Sequence, residues 1–107
     1  MEIKPGFCCL GITNKCMLKC RMCYKWRDNK IEEYPNLQQY KNFIFNFKDL
    51  VGENFMIYFG GGEALLYDGV LDLVSYTVDK GFLTNIISNG WLIDEIMAKR
   101  IAASGLH

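Results

Sequence analysis

Short apolar runs and segments of helical periodicity alternate along this chain of 107 residues. Residues 7–13, 54–60 and 82–88 are largely apolar stretches with the length and composition of strands that are buried on both faces. Between and after these runs, apolar residues recur at spacings of three and four, which predicts helices, the second of them over residues 68–80. The predicted order of elements is therefore β–α–β–α–β–α.

The predicted helices have recognisable ends and apolar faces. Asn36 and Asp94 are of residue types that cap helix N-termini, and they precede the first and third helices. Gly52, Gly81 and Gly105 follow the three helical patterns, as expected for C-terminal ends. The positions expected to face the core are Leu37, Tyr40, Ile44, Phe47, Val51, Val70, Leu73, Val74, Val78, Ile96, Met97 and Ile101. The phenylalanines expected in the core are Phe43, Phe45, Phe47, Phe55 and Phe59.

Alternation of this kind forms right-handed βαβ units with parallel strands, so the predicted class is α/β. In such a sheet the loops that follow the strands open on one edge, where ligands bind. Those loops are residues 14–34, 61–67 and 89–93. The chain stops after Gly105, where another strand is expected, and three parallel strands alone leave two unpaired edges. We therefore expect residues 1–107 to be the N-terminal fragment of a larger partial barrel, prone to self-association through an exposed sheet edge.

Charge and length bear on the possible partners and the location of the protein. Lys and Arg number 12, as do Asp and Glu, so no net charge favours nucleic acid or an anionic membrane as a partner. No segment has the length of a transmembrane helix, and the N-terminus lacks the charged and apolar regions of a signal peptide. These features predict a cytoplasmic protein. In a reducing compartment, clustered cysteines more often bind metal or do redox chemistry than form disulfides.

Three cysteines with the spacing Cys16-x3-Cys20-x2-Cys23 follow the first predicted strand. They are one thiolate short of a closed tetrahedral zinc site or a fully ligated [4Fe–4S] cluster. The favoured interpretation is a [4Fe–4S] cluster whose fourth iron is open to a substrate or cofactor. The alternatives are thiols without a metal, or a zinc site, which could be completed by Cys8, Cys9 or His107. Cys8 and Cys9 lie within the first strand, where both are predicted to pack as small hydrophobic side chains.

Two further polar motifs follow the second and third predicted strands. Gly61 and Gly62 allow a ligand to approach the backbone closely, and the Glu63 carboxylate can accept hydrogen bonds from an ammonium group. Ser88 and Asn89 precede a glycine, so they either form a turn only or contribute polar groups to the same ligand. A tight turn without a ligand is also the alternative for the glycine run. Because parallel strands bring these loops beside the cysteines, the sequence predicts one site at one edge of the sheet.

In this order the three motifs resemble those of the radical S-adenosylmethionine (radical SAM) superfamily. The resemblance covers nearly the whole chain, through Cys16-x3-Cys20-x2-Cys23, Gly61-Gly62-Glu63 and Ser88-Asn89-Gly90. The residues around Cys23-Tyr24 and after Glu63 look most like the SPASM-type branch of peptide and cofactor maturases, whose members often carry a further cluster-binding region. The fold that the resemblance implies is the N-terminal part of a partial (β/α)6 TIM-like barrel.

The resemblance also implies roles for individual residues. Cys16, Cys20 and Cys23 would hold the [4Fe–4S] cluster, and its open iron would take the amino and carboxylate groups of S-adenosylmethionine. The residues that would bind the methionine amino group are Gly61, Gly62 and Glu63. Reductive cleavage would give methionine and a 5′-deoxyadenosyl radical that abstracts hydrogen from a peptide or small-molecule substrate. The electron would come from a reductant such as flavodoxin or ferredoxin.

The chain departs from the family pattern in three respects. Met22 stands where the family usually has an aromatic residue near the adenine, and a thioether can also pack on a ring. Ala64 stands where proline commonly follows the Gly-Gly-Glu motif. The later strands of the barrel are absent from the sequence. Two alternatives to an enzyme therefore stay open: a non-catalytic zinc or iron–sulfur binding module, and an inactive truncation.

Overall fold

The computed structural model describes residues 5–23 and 34–107 and has the predicted α/β architecture. The elements are β1 (Phe7–Thr13), α1 (Leu37–Phe47), β2 (Met56–Gly61), α2 (Val70–Asp79), β3 (Leu83–Ile86) and α3 (Glu95–Ala103), with 3-10 turns at Lys48–Leu50 and Ala64–Leu66. Residues 24–33 of the predicted first loop lie outside the described residues.

The three strands form one parallel sheet in the order β1-β2-β3. Gly11 lies opposite Gly60 in the first pair of strands, and Tyr58 lies opposite Asn85 in the second. The register shifts between Gly11 and Thr13, at the end of β1. Because all three strands run in the same direction, the loops that follow them leave from one edge, which we call the carboxyl edge.

Alternate strand residues face the helices and form the core. Ile12, Ile57 and Phe59 have no exposed surface. They belong to one cluster with side chains from α1 and α2, which include Tyr40, Ile44, Leu73 and Val74. Complete burial of an aliphatic or aromatic side chain contributes about 1.5–3 kcal/mol to stability. This face of the sheet, with the two helices that cover it, supports the carboxyl edge.

The opposite face of the sheet is more exposed, and we call it the open face. Its residues are Phe7, Cys9, Gly11, Met56, Tyr58, Leu83 and Asn85. Cys8 packs partly against the core, as predicted, whereas Cys9 is exposed. The prediction that both cysteines are packed was wrong for Cys9, because neighbouring residues on a strand point to opposite faces.

Two predicted helix caps are present. The Asn36 side chain accepts a hydrogen bond from the Gln39 N–H at 2.9 Å, and Gln39 Oε1 accepts one from the Asn36 N–H at 2.8 Å. Asp94 Oδ1 accepts one from the Met97 N–H at 2.7 Å. These reciprocal or single caps satisfy donors that a helix N-terminus otherwise leaves without partners. In the described ranges, no helix is both long and apolar enough to cross a membrane.

The structure corrects several predicted boundaries and faces. α1 ends at Phe47 and passes into a 3-10 turn, and α2 begins at Val70 because Gly69 before it has a positive φ of 87°. β3 is four residues long, shorter than predicted. Three apolar side chains expected in the core are instead exposed, namely Phe43 (44%), Phe45 (56%) and Ile96 (71%). Phe43 and Phe45 were expected in the core because they are aromatic, and Ile96 because of its helical spacing, and neither criterion separates the edge of a helix face from its centre.

Candidate functional site

The three sequence motifs meet at the carboxyl edge. Residues 14–23, which we call the cysteine loop, follow β1, Glu63 follows β2, and Asn89 follows β3. The Asn89 N–H donates to Glu63 Oε2 at 2.8 Å, and Asn89 Nδ2 donates to Cys16 Sγ at 3.8 Å. The predicted convergence of the three loops is therefore present in the structure.

The cysteine loop is joined to the glycine motif through the backbone. The Gly62 N–H donates to the Thr13 carbonyl at 2.7 Å, and the Glu63 N–H donates to the Lys15 carbonyl at 2.8 Å. A Cβ on Gly62 would lie 2.6 Å from the Asn14 oxygen and would also clash with the Lys15 oxygen, so only glycine permits this approach. Gly61 has a φ of +119°, and a Cβ there would clash with the Thr13 oxygen.

These backbone contacts limit what the glycine motif can offer a ligand. The Gly62 amide already donates to Thr13 at the end of β1, and the Glu63 amide donates to Lys15 in the cysteine loop. A ligand ammonium group donates hydrogen bonds, so carbonyl oxygens or the Glu63 carboxylate would have to accept them. Binding of a methionine amino group by Gly61, Gly62 and Glu63 stays a prediction.

Glu63 connects the loops after β2 and β3. Only 1% of its surface is exposed. Oε1 accepts hydrogen bonds from the Leu65 N–H at 3.2 Å and the Ser88 hydroxyl at 2.8 Å, and Oε2 accepts the Asn89 N–H. Hydrogen bonds to a charged acceptor are stronger than those between neutral groups, so this carboxylate fixes the two loops relative to each other.

The Asn89 side chain has a defined orientation. Its Oδ1 accepts a hydrogen bond from the Trp91 N–H at 2.9 Å. Its Nδ2 therefore points the other way, donating to Met17 Sδ at 3.3 Å and Cys16 Sγ at 3.8 Å. Ser88 Oγ accepts from the Gly90 N–H at 3.0 Å, so the turn after β3 is fixed on both sides of Asn89. The predicted turn is thus present, and a contribution of Ser88 or Asn89 to a ligand stays a prediction.

The three cysteines lie on one loop with different exposures. Cys16 and Cys23 are half-buried and Cys20 is exposed, and the Cys23 N–H donates to the Cys20 carbonyl at 3.1 Å in a turn. Within the described part of the chain, no three cysteine, histidine or acidic side chains lie close enough together to hold a metal ion. The donor chemistry fits an iron–sulfur cluster, since three sulfur donors from one loop are a ligand set of that kind.

The residues that could complete a zinc site lie elsewhere. Cys8 and Cys9 lie within β1, opposite Ile57 and Tyr58. At about 3.3 Å per residue, Cys8 lies about 16 Å before the end of β1. His107 is held against Thr84 of β3, with its Nδ1 at 3.2 Å from the Thr84 backbone nitrogen. This arrangement argues against a zinc site on the cysteine loop that uses any of the three.

Met22 is 91% exposed at the end of the cysteine loop. An exposed thioether at this position is accessible to a ligand at the carboxyl edge. Its contact with adenine stays a prediction.

Sequence reasoning placed Tyr40 in the core but missed its polar role. Its hydroxyl donates to the Ile12 carbonyl at 3.0 Å, and the Tyr34 hydroxyl accepts the Asn14 N–H at 2.9 Å. The Tyr67 hydroxyl donates to the Pro35 carbonyl at 2.8 Å. Burial raises the pKa of Tyr40, and the nearby phenols of Tyr67 and Tyr34 raise it further. The signal in the sequence is a tyrosine at an apolar helical position, because a buried hydroxyl needs a partner.

Tyr34 and Tyr67 border a pocket beside the cysteine loop. Its volume is about 390 Å³, and its lining includes Thr13, Lys15, Tyr34, Leu37, Tyr67 and Asp68. Thr13 and Lys15 are also the residues whose carbonyls receive the amides after β2. The start of the cysteine loop is therefore fixed on one side by the glycine motif and on the other by tyrosine hydroxyls.

Comparison with known proteins bears on the family of the chain. The chain is similar to a tungsten-containing aldehyde ferredoxin oxidoreductase cofactor-modifying protein of Pyrococcus furiosus, with 34% identity over 101 residues, or 91% of this chain and 27% of that protein. It is 35% identical over 99 residues to an AdoMet-dependent heme synthase of Nitratidesulfovibrio vulgaris, covering 90% of this chain and 26% of that protein. The chain thus spans about a quarter of the length of these curated relatives.

A solved structure has the same fold. The crystal structure of BtrN in complex with AdoMet and 2-DOIA matches 99% of this chain and 44% of that chain, with a TM-score of 0.82 and 20% sequence identity. The likeness supports the α/β architecture of a partial barrel. The model of the Radical SAM superfamily matches residues 10–107. The chain therefore belongs to the radical SAM superfamily.

Proposed function

We propose that this chain is the cluster-binding part of a radical SAM enzyme. Cys16, Cys20 and Cys23 would hold a [4Fe–4S] cluster, and S-adenosylmethionine would bind beside it at the carboxyl edge. When bound, the cluster would supply the electron that cleaves S-adenosylmethionine to methionine and a 5′-deoxyadenosyl radical. The observation that carries the proposal is the direct contact of Asn89 with both Glu63 and Cys16, which unites the three motifs.

The residues of the chain would hold and orient these groups. The hydrogen bonds from Gly62 to Thr13 and from Glu63 to Lys15 fix where the cysteine loop starts, and the three thiols follow within ten residues of Thr13. Glu63 has one buried carboxylate that receives three donors, and a carboxylate has about four acceptor positions. One acceptor position therefore has no donor among the described residues, and we propose that a ligand ammonium group occupies it. Met22 would pack on the adenine.

The names of the relatives support S-adenosylmethionine as the cofactor. One is called an AdoMet-dependent heme synthase. The other is called a cofactor-modifying protein, in keeping with the predicted branch of peptide and cofactor maturases. We propose that the complete enzyme acts on a peptide or small molecule and receives its electron from a reductant such as flavodoxin or ferredoxin. We also propose a cytoplasmic location, where thiols stay reduced.

Self-association is part of the proposal for the isolated chain. β1 and β3 are edge strands of the described sheet, and unpaired edges favour pairing with another chain. Phe7 on the open face of β1 is 67% exposed, which adds apolar surface at that edge. A sedimentation-velocity series should show an average mass that rises with concentration. A single monomeric species up to high concentration would contradict self-association but leave the enzymatic proposal intact.

The function is tested by anaerobic reconstitution of the chain with iron and sulfide. The expected product contains four irons per chain, and its electron paramagnetic resonance spectrum after reduction changes when S-adenosylmethionine is added. Cys20→Ala should prevent cluster assembly, and Cys8→Ala is the matched control that should retain it. Stoichiometric zinc without cluster uptake would contradict the proposal, as would loss of the cluster in Cys8→Ala but not in Cys20→Ala.

A further inference from the structure

The Asn89 amide lies beside two sulfur atoms of the cysteine loop. Nδ2 is 3.3 Å from Met17 Sδ and 3.8 Å from Cys16 Sγ, both within hydrogen-bonding range for sulfur. An amide nitrogen carries two hydrogens, so it can donate to both sulfurs at once. Cys16 is one of the three thiols assigned to the cluster.

The orientation of this amide is set by the chain itself. The two ends of an asparagine amide are distinguished by their partners. Here the Trp91 N–H donates to Oδ1 at 2.9 Å, so the oxygen end is occupied and the nitrogen end faces the sulfurs. The backbone of Asn89 is held as well, since its N–H donates to the buried carboxylate of Glu63 at 2.8 Å. The N–H dipole is therefore fixed toward Cys16 before any ligand binds.

We propose that Asn89 is a hydrogen-bond donor to the cluster-ligand sulfur of Cys16 and that it raises the reduction potential of the cluster. This inference rests on the proposed function, because it requires a cluster on Cys16. It differs from the predicted role of Asn89, which was contact with S-adenosylmethionine. Asn89 is therefore a positioning residue, which acts on the cluster indirectly through the sulfur of Cys16.

The direction of the effect follows from electrostatics. Reduction adds negative charge to the cluster and to the sulfurs that bind it. An N–H dipole directed at one of those sulfurs stabilises the reduced form more than the oxidised form, and hydrogen bonds to the sulfurs are among the determinants of cluster potential. Loss of the donor should therefore lower the potential and make the cluster harder to reduce.

The position of the Asn89 amide depends on Glu63, which lies in the loop after β2. Glu63 receives both the Asn89 N–H and the Ser88 hydroxyl, so a shift of Glu63 moves the turn that carries the amide. The residue whose motif is predicted to contact the methionine amino group thus also supports the donor beside the cluster. A ligand that hydrogen-bonds to Glu63 would in this way be coupled, through Asn89, to the hydrogen bond at Cys16 Sγ.

The test compares three variants of the reconstituted chain by redox titration, with the reduced cluster followed by electron paramagnetic resonance. Asn89→Ala removes the donor and the acceptor for Trp91. Asn89→Asp keeps an oxygen for the Trp91 N–H but replaces the donor by a negative charge. Asn42→Ala is the matched control, because Asn42 is exposed on α1 and bonds only with Gln38 among the described contacts.

We expect Asn89→Ala to lower the ratio of reduced to oxidised cluster about tenfold at a fixed potential, which corresponds to about 59 mV for one electron. Asn89→Asp should lower it further, and Asn42→Ala should match the wild type. If Asn89 does not donate to Cys16, Asn89→Ala will titrate like the wild type and only the added charge of Asn89→Asp will lower the potential, and that result overturns the inference. An unchanged potential in both Asn89 variants also overturns it.

Two further outcomes separate this inference from the function on which it rests. If Asn89→Ala does not load a cluster, Asn89→Ser takes its place, because a serine hydroxyl adds no charge and can still accept the Trp91 N–H in the turn, and a wild-type potential in that variant overturns the inference. If the wild-type chain loads no [4Fe–4S] cluster, the proposed function fails. If the wild type loads the cluster and responds to S-adenosylmethionine but the Asn89 variants keep its potential, only the role of Asn89 fails.

Discussion

The backbone N–H of Asn89 donates a hydrogen bond to Glu63 Oε2 over 2.8 Å, between residues 26 positions apart in sequence. The contact joins the loops after β2 and β3 through a carboxylate that is 1% exposed. A buried polar group that loses its partner is costly, so each of these loops depends on the other. The carboxyl edge is therefore held together by contacts within the protein.

Replacement of Glu63 should destabilise the fold. Glu63→Gln puts an amide nitrogen where one carboxylate oxygen now accepts a hydrogen bond, which leaves at least one buried donor without an acceptor. We expect the free energy of unfolding in urea to fall by about 2 kcal/mol. The control is Glu53→Gln, an exposed glutamate between α1 and β2, which should change it by less than about 0.5 kcal/mol. Equal unfolding midpoints for the two variants would show that the Glu63 contacts are not needed.

Replacement of Gly62 should separate the cysteine loop from β2. In Gly62→Ala the new methyl group meets backbone oxygens of Asn14 and Lys15, which cannot rotate away as a side chain would. We expect a loss of about 3 kcal/mol in the free energy of unfolding, the upper range for overpacking. Gly52→Ala is the control, because a Cβ there meets nothing within 4 Å. A Gly62→Ala variant as stable as Gly52→Ala would contradict the close approach seen here.

The elements and the position of the site could be predicted because both depend on local patterns. Helix caps at Asn36 and Asp94 involve neighbours three residues away, and the order of strands and helices follows from apolar spacing. Parallel strands then require the three motifs to share one edge. The convergence of the loops therefore follows from element order alone.

The contacts inside the site could not be predicted in the same way. Asn89 and Cys16 are 73 residues apart, and Tyr40 bonds to a carbonyl 28 residues away. Nothing in the local sequence indicates which way an amide or a hydroxyl points, since the partner is brought there by the fold. Glu63 illustrates this limit, because its motif suggested a ligand while its observed partners are Leu65, Ser88 and Asn89.

The two adjacent cysteines of β1 should differ in reactivity. Burial raises the pKa of the Cys8 thiol, and the neighbouring Cys9 adds to this effect, so less of Cys8 is the reactive thiolate at neutral pH. Cys9 lies on the open face and is exposed. Mass spectrometry of the N-terminal peptide after iodoacetamide treatment should show fast labelling in Cys8→Ser and several-fold slower labelling in Cys9→Ser. Equal rates in the two variants would contradict the assignment of Cys9 to the open face.

The stability of the fold should fall at alkaline pH through Tyr40. Burial raises the pKa of its phenol above the ordinary value of 10.0, so the folded state keeps a proton that the unfolded state releases. The stabilising contribution is complete below pH 10 and is lost as the pH rises through the native pKa. Tyr40→Phe should cost about 1 kcal/mol at pH 7, through loss of the bond to Ile12, and should show a smaller alkaline fall in the free energy of unfolding. An identical pH dependence in wild type and Tyr40→Phe would exclude Tyr40 as its source.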